Sequence, residues 1–122
     1  MRSVRIVGIL VTLNKRMYRE VIALSLHNHR PNAEVLLCPS ESLHQELRRF
    51  RPHLVVLDDN DGVTPDGLSR VIYRVEILLG ASMDARISVD GRAREVNDIC
   101  IEDLLTVVDR TEKMIPKEEA VD

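Results

Sequence analysis

Apolar residues along the chain occur in short runs that alternate with stretches of helical periodicity. Three short runs are largely apolar: Val4–Val11, which is also rich in β-branched residues, Ala33–Cys38 and His53–Leu57. Such short and continuously apolar runs are typical of strands that helices cover on both faces. They predict the buried strands of a mainly parallel sheet.

The stretches between these runs repeat their apolar residues at helical spacing. From about Asn14 to Asn28, Met17, Val21 and Leu24 recur at helical spacing with Tyr18, Ile22 and Leu26 beside them, and they predict the apolar face of a first helix. Ser40 is expected to cap the N-terminus of a second helix. The order strand, helix, strand, helix, strand predicts right-handed βαβ units in a doubly wound α/β sheet.

The second half of the chain predicts two more helices and a further strand. Thr64-Pro65-Asp66 has the composition of a helix start and predicts a short helix. Val75–Leu79 predicts a fourth buried strand. The last predicted helix is Ile101–Lys113, with acidic residues in its first turn and apolar residues along one face.

A β-hairpin is predicted near residues 86–96. Its centre is Asp90-Gly91, a dipeptide that favours a two-residue type I′ turn. With such a turn, Arg92 and Arg94 lie opposite apolar residues of the first arm, so we expect the second arm to be a partly exposed sheet edge.

Composition limits the classes of function. The 122 residues predict one domain over 1–115 with a flexible tail at 116–122. A net charge of -3 and 2% aromatic residues argue against nucleic-acid binding. The chain has no apolar run near the roughly 20 residues that span a bilayer, so we expect no membrane contact. Two cysteines, Cys38 and Cys100, predict buried packing residues in a cytoplasmic protein.

The richest candidate site is the segment Asp58-Asp59-Asn60-Asp61, which follows the third apolar run. Ligands gather at the carboxyl ends of the strands in open parallel sheets. Its carboxylates could hold a divalent cation or attack a phosphoryl group. The same composition is also typical of a simple turn after a strand. No complete set of catalytic residues accompanies the cluster, so no enzyme activity is predicted.

The segment Arg51–Asp58, RPHLVVLD, resembles the third strand of response-regulator receiver domains in two-component phosphorelay signalling. The resemblance implies a flavodoxin-like fold over about Val4–Lys113, with Asp58 in the phosphoacceptor position. Asp59, Asp61 and Ser82 are the candidate supporting residues. The resemblance implies a magnesium cofactor only if Asp58 is phosphorylated. Asp58 and Asp59 would then hold the magnesium ion.

Several receiver features are absent from the sequence. Receivers carry an acidic pair after the first strand, where this chain has Thr12-Leu13, and a switch Ser or Thr where it has Gly80. We therefore expect a stand-alone pseudo-receiver without canonical phosphorylation, which acts by contact with a protein partner or as a homodimer. The alternative is a flavodoxin-like protein that binds a small ligand or metal through Asp58–Asp61.

Overall fold

The computed structural model of the chain describes residues 6–58, 71–79 and 83–115. Within these ranges the chain forms one six-stranded mixed sheet and three α-helices, an α/β architecture. The strands are β1 (Gly8–Thr12), β2 (Glu34–Leu37), β3 (Leu54–Asp58), β4 (Tyr73–Leu79), β5 (Met83–Val89) and β6 (Arg92–Val96). The helices are α1 (Arg16–His29), α2 (Leu43–Phe50) and α3 (Ile101–Met114). The predicted short helix at Thr64 and the tail at 116–122 lie outside the described residues.

The strands follow one another across the sheet in the order β2-β1-β3-β4-β5-β6. The first four strands are parallel, whereas β5 and β6 pair antiparallel. Parallel pairing is therefore confirmed for one side of the sheet only. Residues 80–82 alone separate β4 from β5, and a parallel crossover needs about a dozen residues. The chain therefore turns back and β5 runs antiparallel to β4.

The core lies on both faces of β1 and β3, in which every residue is buried. This burial confirms the interpretation of their apolar runs, although the first strand begins at Gly8 rather than Val4. On one face, sheet residues meet α1 and α3, and the buried residues include Ile9, Val11, Val56, Val75, Leu26, Leu104 and Val108. On the other face, sheet residues meet α2, and the buried residues are Leu10, Cys38, Leu43, Leu47, Val55 and Leu57.

Helix α1 buries only part of its predicted apolar face. Ala23 and Leu26 are buried, and Tyr18 and Ile22 pack against the same core, whereas Met17, Val21 and Leu24 are 68%, 56% and 59% exposed. The prediction was confirmed for the side with Leu26 and wrong for the side with Met17, because α1 has apolar residues on two sides. Packing against the sheet and α3 selects the side with the small Ala23, which allows the helix backbone to approach closely.

The start of the second helix also differs from the prediction. Residues Ser40–Ser42 form a turn of 3-10 helix, and α2 begins at Leu43. The N-cap position of α2 is held by Ser42, which makes no side-chain capping hydrogen bond, and the Ser40 hydroxyl donates to the Asn14 side-chain oxygen. A contact between two loops has therefore replaced the predicted cap.

The hairpin formed by β5 and β6 confirms the predicted turn. Asp90 and Gly91 have positive φ angles of 51° and 74°, as a type I′ turn requires. Arg94 pairs with Ile87, and Arg92 pairs with Val89. Four of the five β6 residues are exposed, so β6 is the expected open edge.

Candidate functional site

The parallel pairing brings the ends of β1, β2 and β3 to one edge of the sheet. Val11 pairs with Leu37, and Thr12 pairs with Leu57. Asp58 therefore ends β3 one residue beyond the last β1 pair. This edge is where open α/β sheets bind ligands, and it is the candidate functional site.

Asp58 is the best-defined residue of this edge. Asp58 is only 1% exposed. Its Oδ2 accepts a hydrogen bond of 2.6 Å from the Asn14 backbone N–H. Asp58 thus ties the end of β3 to the loop between β1 and α1.

The same loop is also bonded to the segment after β2. The Ser40 hydroxyl donates to Asn14 Oδ1. The Cys38 N–H extends the pairing of this segment with β1 itself, because it donates to the Val11 carbonyl at 3.1 Å. Asn14 therefore bonds to both neighbouring strand ends, through its backbone toward Asp58 and through its side chain toward Ser40. The three strand ends are held as one unit.

The end of β1 is buried and carries no carboxylate, whereas receivers carry an acidic pair there. Thr12 is 0% exposed and Leu13 is 2% exposed. Leu13 packs in the core on the α1 and α3 face, and the Thr12 hydroxyl is buried with no hydrogen-bond partner among the described residues. In the described part of the chain, Asp58 is the only carboxylate that the ends of β1 and β3 bring to this edge.

Two cationic residues of the β1–α1 region were not identified as site residues from the sequence. Arg19 Nη1 donates to the Leu13 carbonyl at 3.2 Å. The Lys15 Nζ atom lies 5.6 Å from the centre of the Tyr18 ring. The available signal was that both residues follow β1 closely along the chain. They supply positive charge beside the candidate site.

The remaining predicted site residues, Asp59, Asp61 and Ser82, lie outside the described residues. Among the residues that the structure describes, no three of the types His, Cys, Asp and Glu are grouped as a metal site would require. The candidate site is therefore defined by Asp58, Asn14, Ser40 and Thr12.

The two cysteines have different environments. Cys38 directly follows β2 and is 5% exposed in the core on the α2 face, which confirms its predicted packing role. Cys100 is exposed, so the same prediction was wrong there, because the residue precedes α3 at the surface. The Asp103 N–H lowers the pKa of the Cys100 thiol, but the carboxylates of Glu102 and Asp103 outweigh it and raise the pKa.

Comparison with known proteins adds no family to this description. No protein-family model, no curated protein and no solved structure matches the chain. None of the helices in the described ranges is both long enough and apolar enough to cross a bilayer. The function must therefore be argued from the α/β fold and the geometry around Asp58.

Proposed function

We propose that the chain is a receiver-like signalling module that acts through protein–protein contact and does not use canonical phosphorylation of Asp58. The observation that carries the proposal is the buried carboxylate of Asp58 at the end of β3. It occupies the phosphoacceptor position of the receiver pattern and is hydrogen-bonded within the protein.

The strand order supports the receiver-like half of the proposal. The parallel order β2-β1-β3-β4 is the order of a flavodoxin-like sheet over its first four strands. Helix α2 covers one face, and α1 and α3 cover the other. We interpret the antiparallel β5–β6 hairpin as a replacement for the last helix and strand of such a sheet.

Two features argue that Asp58 does not accept a phosphoryl group. Phosphoryl transfer depends on a cation that neutralises charge on the transferred group, and Thr12 and Leu13 provide no carboxylate to hold that cation. The Asp58 oxygen Oδ2 is also occupied by the Asn14 N–H at 2.6 Å. In this arrangement, Asp58 acts as a structural link between two strand ends.

A surface suited to protein contact supports the other half of the proposal. Met17, Val21, Leu24 and Leu37 are large apolar residues that α1 and β2 leave between 41% and 68% exposed. Clustered exposed apolar residues are typical of interaction surfaces. A signalling role through contact therefore has a candidate surface away from Asp58.

The test is exposure of the full chain to acetyl phosphate, and separately to beryllofluoride, each with magnesium. We expect an unchanged intact mass and unchanged amide chemical shifts around Asp58. The Asp58→Asn variant is the matched control because it retains the shape and removes the nucleophile. A phosphoryl adduct on the wild type that this variant lacks would contradict the proposal and indicate a phosphorylated receiver.

The alternative, a small-ligand or metal-binding protein, has a separate readout. A thermal-shift screen with divalent ions, nucleotides and flavins is expected to leave the melting temperature unchanged. Stabilisation by several degrees that Asp58→Ala abolishes would instead support a ligand site at Asp58–Asp61.

A further inference from the structure

An apolar groove of about 370 Å³ lies between α1 and the edge strand β2. Its lining residues are Glu20, Ala23, Leu24, His27, Val35 and Leu37. Leu24 is 59% exposed and Leu37 is 41% exposed, so the groove has apolar walls that water contacts. A surface of this kind is stabilised when another protein surface removes it from water.

Strand β2 has an open edge beside this groove. It is the first strand in the sheet order and pairs only with β1 among the described strands. The Glu34 and Cys38 N–H groups donate toward β1, at 2.9 Å and 3.1 Å. Because the direction of backbone groups alternates along a strand, the N–H and C=O groups of Val35 and Leu37 point outward from the sheet.

We propose that a second copy of this chain binds here, with the two β2 strands antiparallel about a two-fold axis at Leu36. In this register, Val35 of each copy lies opposite Leu37 of the other copy. These residues have outward backbone groups, so each pair can form two hydrogen bonds. Their side chains share the groove face of the strand, and the contact would join the two sheets into one.

The charges on α1 fit the same axis. Glu20 and His27 lie one helical turn on either side of Ala23 and Leu24, in the middle of the groove. Antiparallel packing of the two α1 helices therefore brings Glu20 of each copy to His27 of the other. Glu20 also bonds to Arg16 within its own helix at 2.8 Å. A surface with an acid at one end and an imidazole at the other is complementary to itself, which favours a second copy as the partner.

The other edge of the sheet is less suited to pairing. Arg92, Arg94 and Glu95 are exposed on β6. Charged side chains along an edge strand oppose the addition of another strand. The edge at β2 has a single charged residue, Glu34, followed by Val35, Leu36 and Leu37, so we expect self-association there rather than at the hairpin.

This inference takes up the protein contact of the proposed function and names its partner. The two fail separately. If the chain is monomeric and beryllofluoride leaves its amide chemical shifts unchanged, only the proposed self-association is overturned. If the chain is dimeric and forms a phosphoryl adduct at Asp58, only the proposed absence of phosphorylation is overturned.

Sedimentation analysis of the full chain over a range of micromolar concentrations tests the dimer. We expect the mass to rise with concentration toward twice the 13.9 kDa of one chain. Leu24→Asp places a charge in the groove twice per dimer and is expected to weaken association by about 100-fold. Met114→Asp is the matched control, since Met114 is a 40% exposed apolar residue on α3 that does not line the groove. We expect a change below about 3-fold, in keeping with the small energetic effect of positions outside an interface core.

Disulfide cross-linking tests the orientation of the two copies. In a Cys100→Ser background, we expect Glu20→Cys chains mixed with His27→Cys chains to cross-link on mild oxidation, and either variant alone to remain uncross-linked. A wild-type chain that is monomeric throughout would overturn the proposal. A dimer that Leu24→Asp leaves intact, or cross-linking of Glu20→Cys chains with one another, would also overturn it.

Discussion

Asp58 connects the end of β3 to the loop after β1 through its Oδ2 atom. This atom accepts a hydrogen bond from the Asn14 N–H, and Asp58 is only 1% exposed. A buried or partly buried donor that loses its acceptor costs about 1–3 kcal/mol. The carboxylate therefore has a structural role at the candidate site.

Replacing Asp58 with Ala is expected to lower the free energy of unfolding by about 1–3 kcal/mol, because the Asn14 N–H loses its acceptor. Asp58→Asn keeps an oxygen that can accept this hydrogen bond, so its loss should be smaller. Urea unfolding of both variants, followed by circular dichroism, measures the difference. Equal losses in the two variants would contradict this role for the acceptor oxygen.

Helices α1 and α3 are joined by a bidentate ion pair between Arg30 and Asp109. Arg30 Nε lies 2.8 Å from Asp109 Oδ1, and its Nη2 lies 2.9 Å from Oδ2. The hydrogen bonds from Arg30 lower the pKa of the Asp109 carboxyl below its ordinary value. Both side chains are more than a third exposed, so solvent screening keeps the effect on stability small.

The ion pair is expected to make stability depend on pH at the acid end. Because the folded pKa of Asp109 is lowered, its contribution is complete above the unfolded pKa of about 3.9 and is lost as the pH falls through the lower folded pKa. The difference in unfolding free energy between the wild type and Asp109→Asn should therefore be constant near neutral pH and shrink below about pH 4. Urea unfolding across this range measures it.

Glu112→Gln is the control for the change in charge. Glu112 lies one turn along α3, and removing its charge leaves both hydrogen bonds between Arg30 and Asp109 in place. A difference that grows as the pH falls in the Asp109→Asn series would contradict the predicted direction.

At the scale of the whole molecule, the sheet has a buried centre and unequal edges. Every residue of β1 and β3 is buried, whereas β6 has four exposed residues of five. Opening of β6 exposes few apolar side chains, but opening of β1 or β3 disrupts the core on both faces of the sheet. Local stability should follow that difference.

Native-state hydrogen exchange is expected to distinguish these strands. The bonded amides of β1 and β3 should exchange only with the free energy of global unfolding, and those of β6 at a lower free energy through local opening. The measurement is amide exchange by NMR at several urea concentrations below the transition. Protection in β6 equal to that in β1 would show that the hairpin unfolds only with the core.

Part of the candidate site could be predicted from the sequence. The apolar run before Asp58 was enough to place that residue at the end of a buried strand. The bonds from Asn14 and Ser40 could not be predicted in the same way. Asn14 and Asp58 are 44 positions apart in the sequence, and Asn14 and Ser40 are 26 positions apart. Both bonds therefore depend on how the strands are ordered in the sheet.

The sequence by itself determined the elements whose signals are local. Continuous apolar runs determine β1 and β3, the periodicity of apolar residues determines α3, and Asp90-Gly91 determines the hairpin turn. Tertiary structure decided the direction of β5 and which side of α1 is buried. Strand direction depends on the path of the connection to the sheet. Burial of one apolar side of α1 depends on the surface that it meets, because two such sides are equivalent until the sheet and α3 cover one of them.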